Sequence, residues 1–189
     1  MWRLVGRCSQ QPLTLILLGL LLMNPIACKR KKNRSIEQVT QSAQPETSGP
    51  LSSMVQAADP RTQRQLTKGF YAVEQNAWRW TEGSFSASLR PPLGSSRKGA
   101  MLVLKFSIPD LVLEKLKKIR LSASVNGVAL SAEEYSKPGE YTYSREVPAT
   151  ALTSEAVSVD FNLDKFLPPT PPDIRELGVV VHAIGFEAR

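Results

Sequence analysis

Ile119-Arg120-Leu121-Ser122-Ala123-Ser124-Val125-Asn126-Gly127-Val128-Ala129-Leu130 decides the fold class. Ile119, Leu121, Ala123 and Val125 alternate with Arg120, Ser122 and Ser124, the period of a strand with one face in a core and one in water. Asn126-Gly127 then supplies two residues that tolerate the positive φ angles of a tight turn, which predicts a hairpin. The alternation recurs in Val157, Val159, Phe161 and Leu163 against Ser158, Asp160 and Asn162, and in Phe85, Ala87 and Leu89 within 83–90. Segments 101–108 and 177–184 are more continuously apolar, as expected of central strands. Pro91-Pro92, Pro109, Pro138-Gly139, Pro148 and the prolines of 168–172 mark turns, and only 110–118 reads as a short helix. Seven to nine short strands separated by turns predict an all-β fold, an antiparallel β-sandwich of jelly-roll-like form.

Charge and aromatic content place the boundaries. Residues 1–68 hold 10 Lys+Arg against 3 Asp+Glu, and 69–189 hold 14 of each, so the whole net charge of +7 lies in the first third. A nucleic-acid-binding domain is therefore not expected, because its cations should cluster on the folded surface that meets phosphate. Of 13 Phe, Trp and Tyr, all but Trp2 follow residue 68. The expected organisation is a signal segment over 1–28, a basic and then polar disordered linker over 29–68, and one β-sandwich domain over 69–189.

The first segment reads as a membrane address. Arg3 and Arg7 precede the apolar run Leu13 to Met23, and Asn24-Pro25-Ile26-Ala27-Cys28 follows. Eleven helical residues rise about 16 Å, too short for a hydrocarbon core of about 30 Å, so a signal peptide fits better than a spanning helix. The ending resembles the lipobox of bacterial lipoproteins and makes Cys28 the expected lipidation site, although Pro25 stands where that motif usually has Leu. The five cations among Lys29-Arg30-Lys31-Lys32 and Arg34 pull the other way, toward an inner-membrane anchor with a cytoplasmic domain. The two localisations are thus a membrane-anchored lipoprotein facing the periplasm or the outside, and the reversed anchor.

Little in the domain suggests catalysis. His182 is the single histidine and lies within the apolar strand Val179-Val180-Val181-His182, so it is expected to be structural rather than a general base. With no cysteine after residue 28, His/Cys zinc sites cannot be built, and no metal, cofactor or catalytic residue is expected. Two segments stand out as ligand-binding candidates. Trp78 and Trp80 flank Arg79 on one strand, so the two indoles point one way; facing water they form a platform for sugar rings, and facing inward they fill the core. Asp173, Arg175 and Glu176 follow a proline-rigid loop, where the guanidinium either pairs with a carboxylate to lock the loop or reaches a ligand.

Gly69-Phe70-Tyr71 with Glu74, Trp78-Arg79-Trp80-Thr81, Val125-Asn126-Gly127, and Asp164-Lys165-Phe166 with Asp173, Arg175-Glu176-Leu177-Gly178 together resemble a known group. It is the carbohydrate-binding-like β-sandwich accessory domains found beside bacterial glycosyltransferases and in free-standing envelope proteins. The resemblance covers 69–189. It implies a non-catalytic, carbohydrate-associated module and transfers no binding residues. No glycosyltransferase domain is read in this chain, so an accessory role is expected in trans. The expected function is a membrane-tethered module that binds glycan or an envelope-glycan-assembly partner. The alternatives are a purely protein-interaction envelope lipoprotein and, less favoured, a carboxylate-dependent glycan hydrolase.

Overall fold

Alternation along the chain becomes a two-layered β structure in the computed structural model, which describes residues 50–189. The apolar run, Cys28, the basic run and linker residues 29–49 lie outside the described residues. The strands are β1 (Met54–Gln56), β2 (Leu66–Glu74), β3 (Trp78–Leu89), β4 (Ala100–Ile108), β5 (Ile119–Val125), β6 (Val128–Tyr135), β7 (Gly139–Val147), β8 (Val157–Leu163) and β9 (Val180–Ala188). Helix α1 (Ser95–Lys98) follows β3, and α2 (Asp110–Leu116) joins β4 to β5.

Every strand pairing is antiparallel, in the order β6-β5-β8-β3-β9-β4-β7, with β1 added to β9 and β2 to β3. Setting β2 aside, one layer reads β1-β9-β4-β7 and the other β3-β8-β5-β6. Consecutive strands thus alternate between layers except at the β5–β6 hairpin, which is the winding of a jelly roll. β3 joins the layers: Arg79 and Trp80 pair with β9, while Ser84 to Leu89 pair with β8. The predicted fold class is the observed one.

The inward residues of both layers form one core. Phe85 stacks on Phe161 at 5.0 Å, and Tyr143 of the other layer meets Phe161 edge-on at 6.5 Å. Phe106 and Tyr135 meet edge-on across the sandwich at 5.2 Å. Such rings bury more apolar area than any other side chains and favour offset or edge-on contact. The outer strands β6 and β7 are tied by side chains: Tyr143 Oη donates to the Ser131 carbonyl at 2.8 Å, and Arg145 donates to Ser131 O at 2.9 Å and to Glu133 Oε2 at 2.6 Å. These bonds tie β6 to β7 at one side of the sandwich.

β5 and β8 have the predicted limits, and Asn126 (φ 45°) and Gly127 (φ 80°) form the expected turn. Asn126 is fixed there, because its amide donates to Ala151 O at 3.0 Å and its Oδ1 accepts from Ser158 N at 3.1 Å. Two regions differ from expectation. β7 has no clean apolar alternation because Arg145 occupies an inward position, where its guanidinium covers the Tyr143 ring at 4.4 Å. The domain also begins before residue 69. Within the predicted linker, β1 pairs with β9, Val55 and Ala57 are buried, and Gln65 is 2% exposed. Gln65 looked like linker because it is polar, yet it satisfies a buried stretch of backbone. It accepts from Ser52 N (2.8 Å) and donates to the carbonyls of Ser52 (2.9 Å) and Ser88 (2.8 Å).

Candidate functional site

The segments that stood out in the sequence meet in space. Arg175 Nη1 donates to Glu74 Oε1 of β2 at 2.6 Å, while Nη2 and Nε grip Asp173 at 2.8 and 3.0 Å. The guanidinium lies 5.3 Å from the centre of the Tyr71 ring. Glu176 N–H donates to Tyr71 Oη at 3.1 Å, and Glu176 Oε1 accepts from Gly83 N at 2.6 Å. A Cβ on Gly83 would sit 2.2 Å from Phe166 Cδ1, and one on Gly178 would sit 2.6 Å from Glu82 O. Both glycines are required by close approach of backbone and ring rather than by turn geometry. Asp173, Arg175 and Glu176 therefore have their charged groups engaged within the chain, where they fasten the proline loop to β2 and β3.

The guanidinium of Arg175 holds the Asp173 carboxyl down to about 2. A depressed carboxylate contributes its full stabilisation above the ordinary value of about 3.9 and loses it as pH falls toward 2, so this lock is complete at neutral pH. The Arg175 side chain is about a third exposed. Its removal is expected to cost about 1–2 kcal/mol, more than an ordinary surface pair and less than a buried one. Urea unfolding of Arg175→Ala measures this, and Arg175→Lys should recover only part because it loses the fork.

Arg79 and the two tryptophans divide differently. Arg79 is 6% exposed, and burial pulls its guanidinium below the ordinary arginine range. It donates from Nε to Ala57 O at 2.7 Å and from Nη1 to Tyr71 O at 2.8 Å, so it fastens the end of β1 and the middle of β2 to β3. Trp78 and Trp80 are both half-buried, and Trp80 packs against the core. Their rings are 6.4 Å apart at 84°. Perpendicular rings make a corner rather than the flat platform that two fully water-facing indoles would form.

A different surface has the form of a ligand site. The water-facing side of β2-β3-β8-β5-β6 holds a groove of about 380 Å³ lined by Lys68, Ser84, Ser86, Ser122, Ser124, Asp160, Asn162 and Leu130. Strand register orders its floor: Lys68, Ser86, Asp160 and Ser124 lie in one row across four strands, and Ser84, Asn162 and Ser122 in the next. Rows are about 7 Å apart along the strands, and neighbours within a row about 5 Å. The floor is low because serine is short, where ordinary water-facing strands carry long charged side chains. Hydrogen bonds fix the polar groups: Ser84 Oγ donates to Asn162 Oδ1 at 2.7 Å, and Ser86 and Ser158 donate to the two oxygens of Asp160 at 2.7 and 3.3 Å. The Asn162 amide keeps its N–H donors and Asp160 keeps acceptor capacity toward the groove. Alternation assigned Ser84, Ser86, Ser122 and Ser124 to the wet face. Their alignment into one floor depends on register between strands distant in sequence.

No protein-family model matches this chain, and no curated protein matches it either. Solved structures similar to it include the CBM36-1 domain of a multidomain xylanase from the hindgut metagenome of Trinervitermes trinervoides, at 13% identity and TM-score 0.40, covering 72% of this chain and 96% of that one. Another is TmCBM27, a carbohydrate-binding module that recognises mannan, at 11% identity and TM-score 0.41, covering 74% and 97%. A third is BtGH115A, a 4-O-methyl-α-glucuronidase, at 11% identity and TM-score 0.44, covering 74% of this chain and 18% of that one. Their TM-scores lie below 0.5, so their ligands say nothing of this chain's.

Proposed function

We propose that this protein is a membrane-tethered, non-catalytic carbohydrate-binding module whose ligand lies in the groove over β3, β8 and β5. The observation that carries the reading is the ordered row of short hydroxyls around Asp160 and Asn162. A sugar hydroxyl both donates and accepts, so a fixed carboxylate beside a fixed amide suits neighbouring hydroxyls of one ring. The lining contains one carboxylate, Asp160, whereas glycoside hydrolysis by paired carboxylates requires two. A protein-interaction reading draws on Ile174, 78% exposed on the proline loop; it places the contact away from the groove.

A glycan array probed with the full chain tests the proposal. Asp160→Ala removes a charged acceptor worth about 1.5–3 kcal/mol, so affinity for the bound glycan should fall about tenfold to a hundredfold. Stability should stay within about 0.5 kcal/mol because Asp160 is exposed. An array on which the wild-type chain binds nothing, or a variant that binds as well, would count against it.

The tether belongs to the same proposal. Lipid on Cys28 with Lys29 to Arg34 beside it gives two anchoring signals, the combination that stable attachment needs. Mass spectrometry of membrane-extracted protein is expected to show Met1 to Ala27 removed and Cys28 lipidated. An intact N-terminus would favour the reversed anchor and a cytoplasmic domain.

A further inference from the structure

His182 lies in β9, among apolar neighbours, yet it is not part of the core. Lys105 of β4 pairs with Ala183 and Phe106 with Val181, so His182 is the extra residue of a β-bulge. It is half-buried, and its Nε2 lies 2.6 Å from Ser107 Oγ. Bulges re-aim a side chain and gather next to binding and active sites. This one turns the imidazole toward an opening of about 510 Å³ lined by Lys105, Phe106, Glu140, Tyr141, Thr142 and His182.

We infer that this opening is a second binding site, separate from the serine groove, and that it takes an acidic sugar of the hexuronate class. The strands that build it, β4, β7 and β9, belong to the other layer of the sandwich. The groups of its lining that carry charge or an imidazole come one from each strand, Lys105, Glu140 and His182, and Tyr141 of β7 adds a phenol. Lys105 lies opposite Thr142 on β7, and Ser107 lies opposite Glu140, so the ammonium and the carboxylate stand on a diagonal with the two hydroxyls at its other corners and the imidazole beside Ser107 on the β9 side. Neither charge forms an ion pair among the described residues. Lysine binds an anion as a point charge, and a carboxylate accepts from neutral hydroxyls. A ligand complementary to both has one carboxylate and several hydroxyls on one ring. The bond to Ser107 occupies one ring nitrogen of His182 and leaves Nδ1 for the ligand. A simple anion satisfies Lys105 alone, and a neutral sugar leaves the ammonium without a partner.

The chain contains one histidine, so the imidazole proton signal in an NMR spectrum of the full chain reports this site without further assignment. Titration with glucuronate is expected to move that signal saturably, with glucose and acetate each binding at least about tenfold more weakly. Lys105→Gln should weaken glucuronate at least about tenfold. Glu140→Gln, an independent exposed substitution, should narrow the gap between glucuronate and acetate, and Asp160→Ala in the serine groove should change nothing here. An unmoved signal would overturn the assignment. So would glucose or acetate binding as well as glucuronate, or undiminished binding by Lys105→Gln.

Discussion

A chain shortened to begin at Gly69 is expected to lose about 4 kcal/mol or more of stability relative to one that begins at Pro50. The shorter chain lacks β1, so the buried stretch of β9 from Ala183 to Gly185 loses the hydrogen-bonded neighbour on that edge. It also lacks Val55 and Ala57, both 1% exposed, and Gln65 with its three backbone bonds. Burial of a valine contributes about 1.5–3 kcal/mol, and each buried hydrogen bond about 1 kcal/mol net. Against a total of about 5–15 kcal/mol for a domain of this size, the shorter chain should be marginal at 25 °C. Thermal and urea midpoints of the two chains check this. Equal midpoints would show that β1 and Gln65 pack on the sandwich without stabilising it.

The second large effect is expected at Arg79, buried without a carboxylate partner among the described residues. Arg79→Met keeps the length of the side chain but leaves the carbonyls of Ala57 and Tyr71 without their donors. An unsatisfied buried acceptor costs about 1–3 kcal/mol, and removing a buried charge returns part of that, so a net loss of about 2–4 kcal/mol is expected. Urea unfolding with an unchanged slope is the measurement. A change below about 0.5 kcal/mol would mean that water reaches both carbonyls. Arg79→Lys, with one compact ammonium for two separated acceptors, should fall between.

Periodicity made most of the sheet legible, since Ile119–Val125 and Val157–Leu163 each show one apolar face and need only a core to pack on. It failed where a polar residue does a buried job. Gln65 hid the start of the domain, Arg145 masked β7, and Arg79 sat between two tryptophans that drew attention as a platform. The resemblance motifs around Tyr71, Glu74, Arg79, Arg175 and Glu176 were visible as unusual sequence, and in space they are one latch among β1, β2, β3 and the loop before β9. The serine groove was legible only in part. Alternation gives the wet face of each strand, but the row Ser86, Asp160, Ser124 exists only through pairing register across residues up to 74 positions apart. His182 lies in a strand as read, but the direction of its side chain was not legible, because a bulge shifts side-chain direction by one residue and leaves no mark in the apolar pattern around it.

The central claim is that glycan binds the serine groove and not the latch. Amide chemical-shift mapping of the isotope-labelled chain, titrated with the tightest glycan from the array, tests it most directly. The groove account predicts saturable shifts concentrated at Ser84, Ser86, Ser122, Asp160 and Asn162, lost in Asp160→Ala. Shifts concentrated instead at Trp78, Trp80 and Arg175, with the groove amides unmoved, would contradict it.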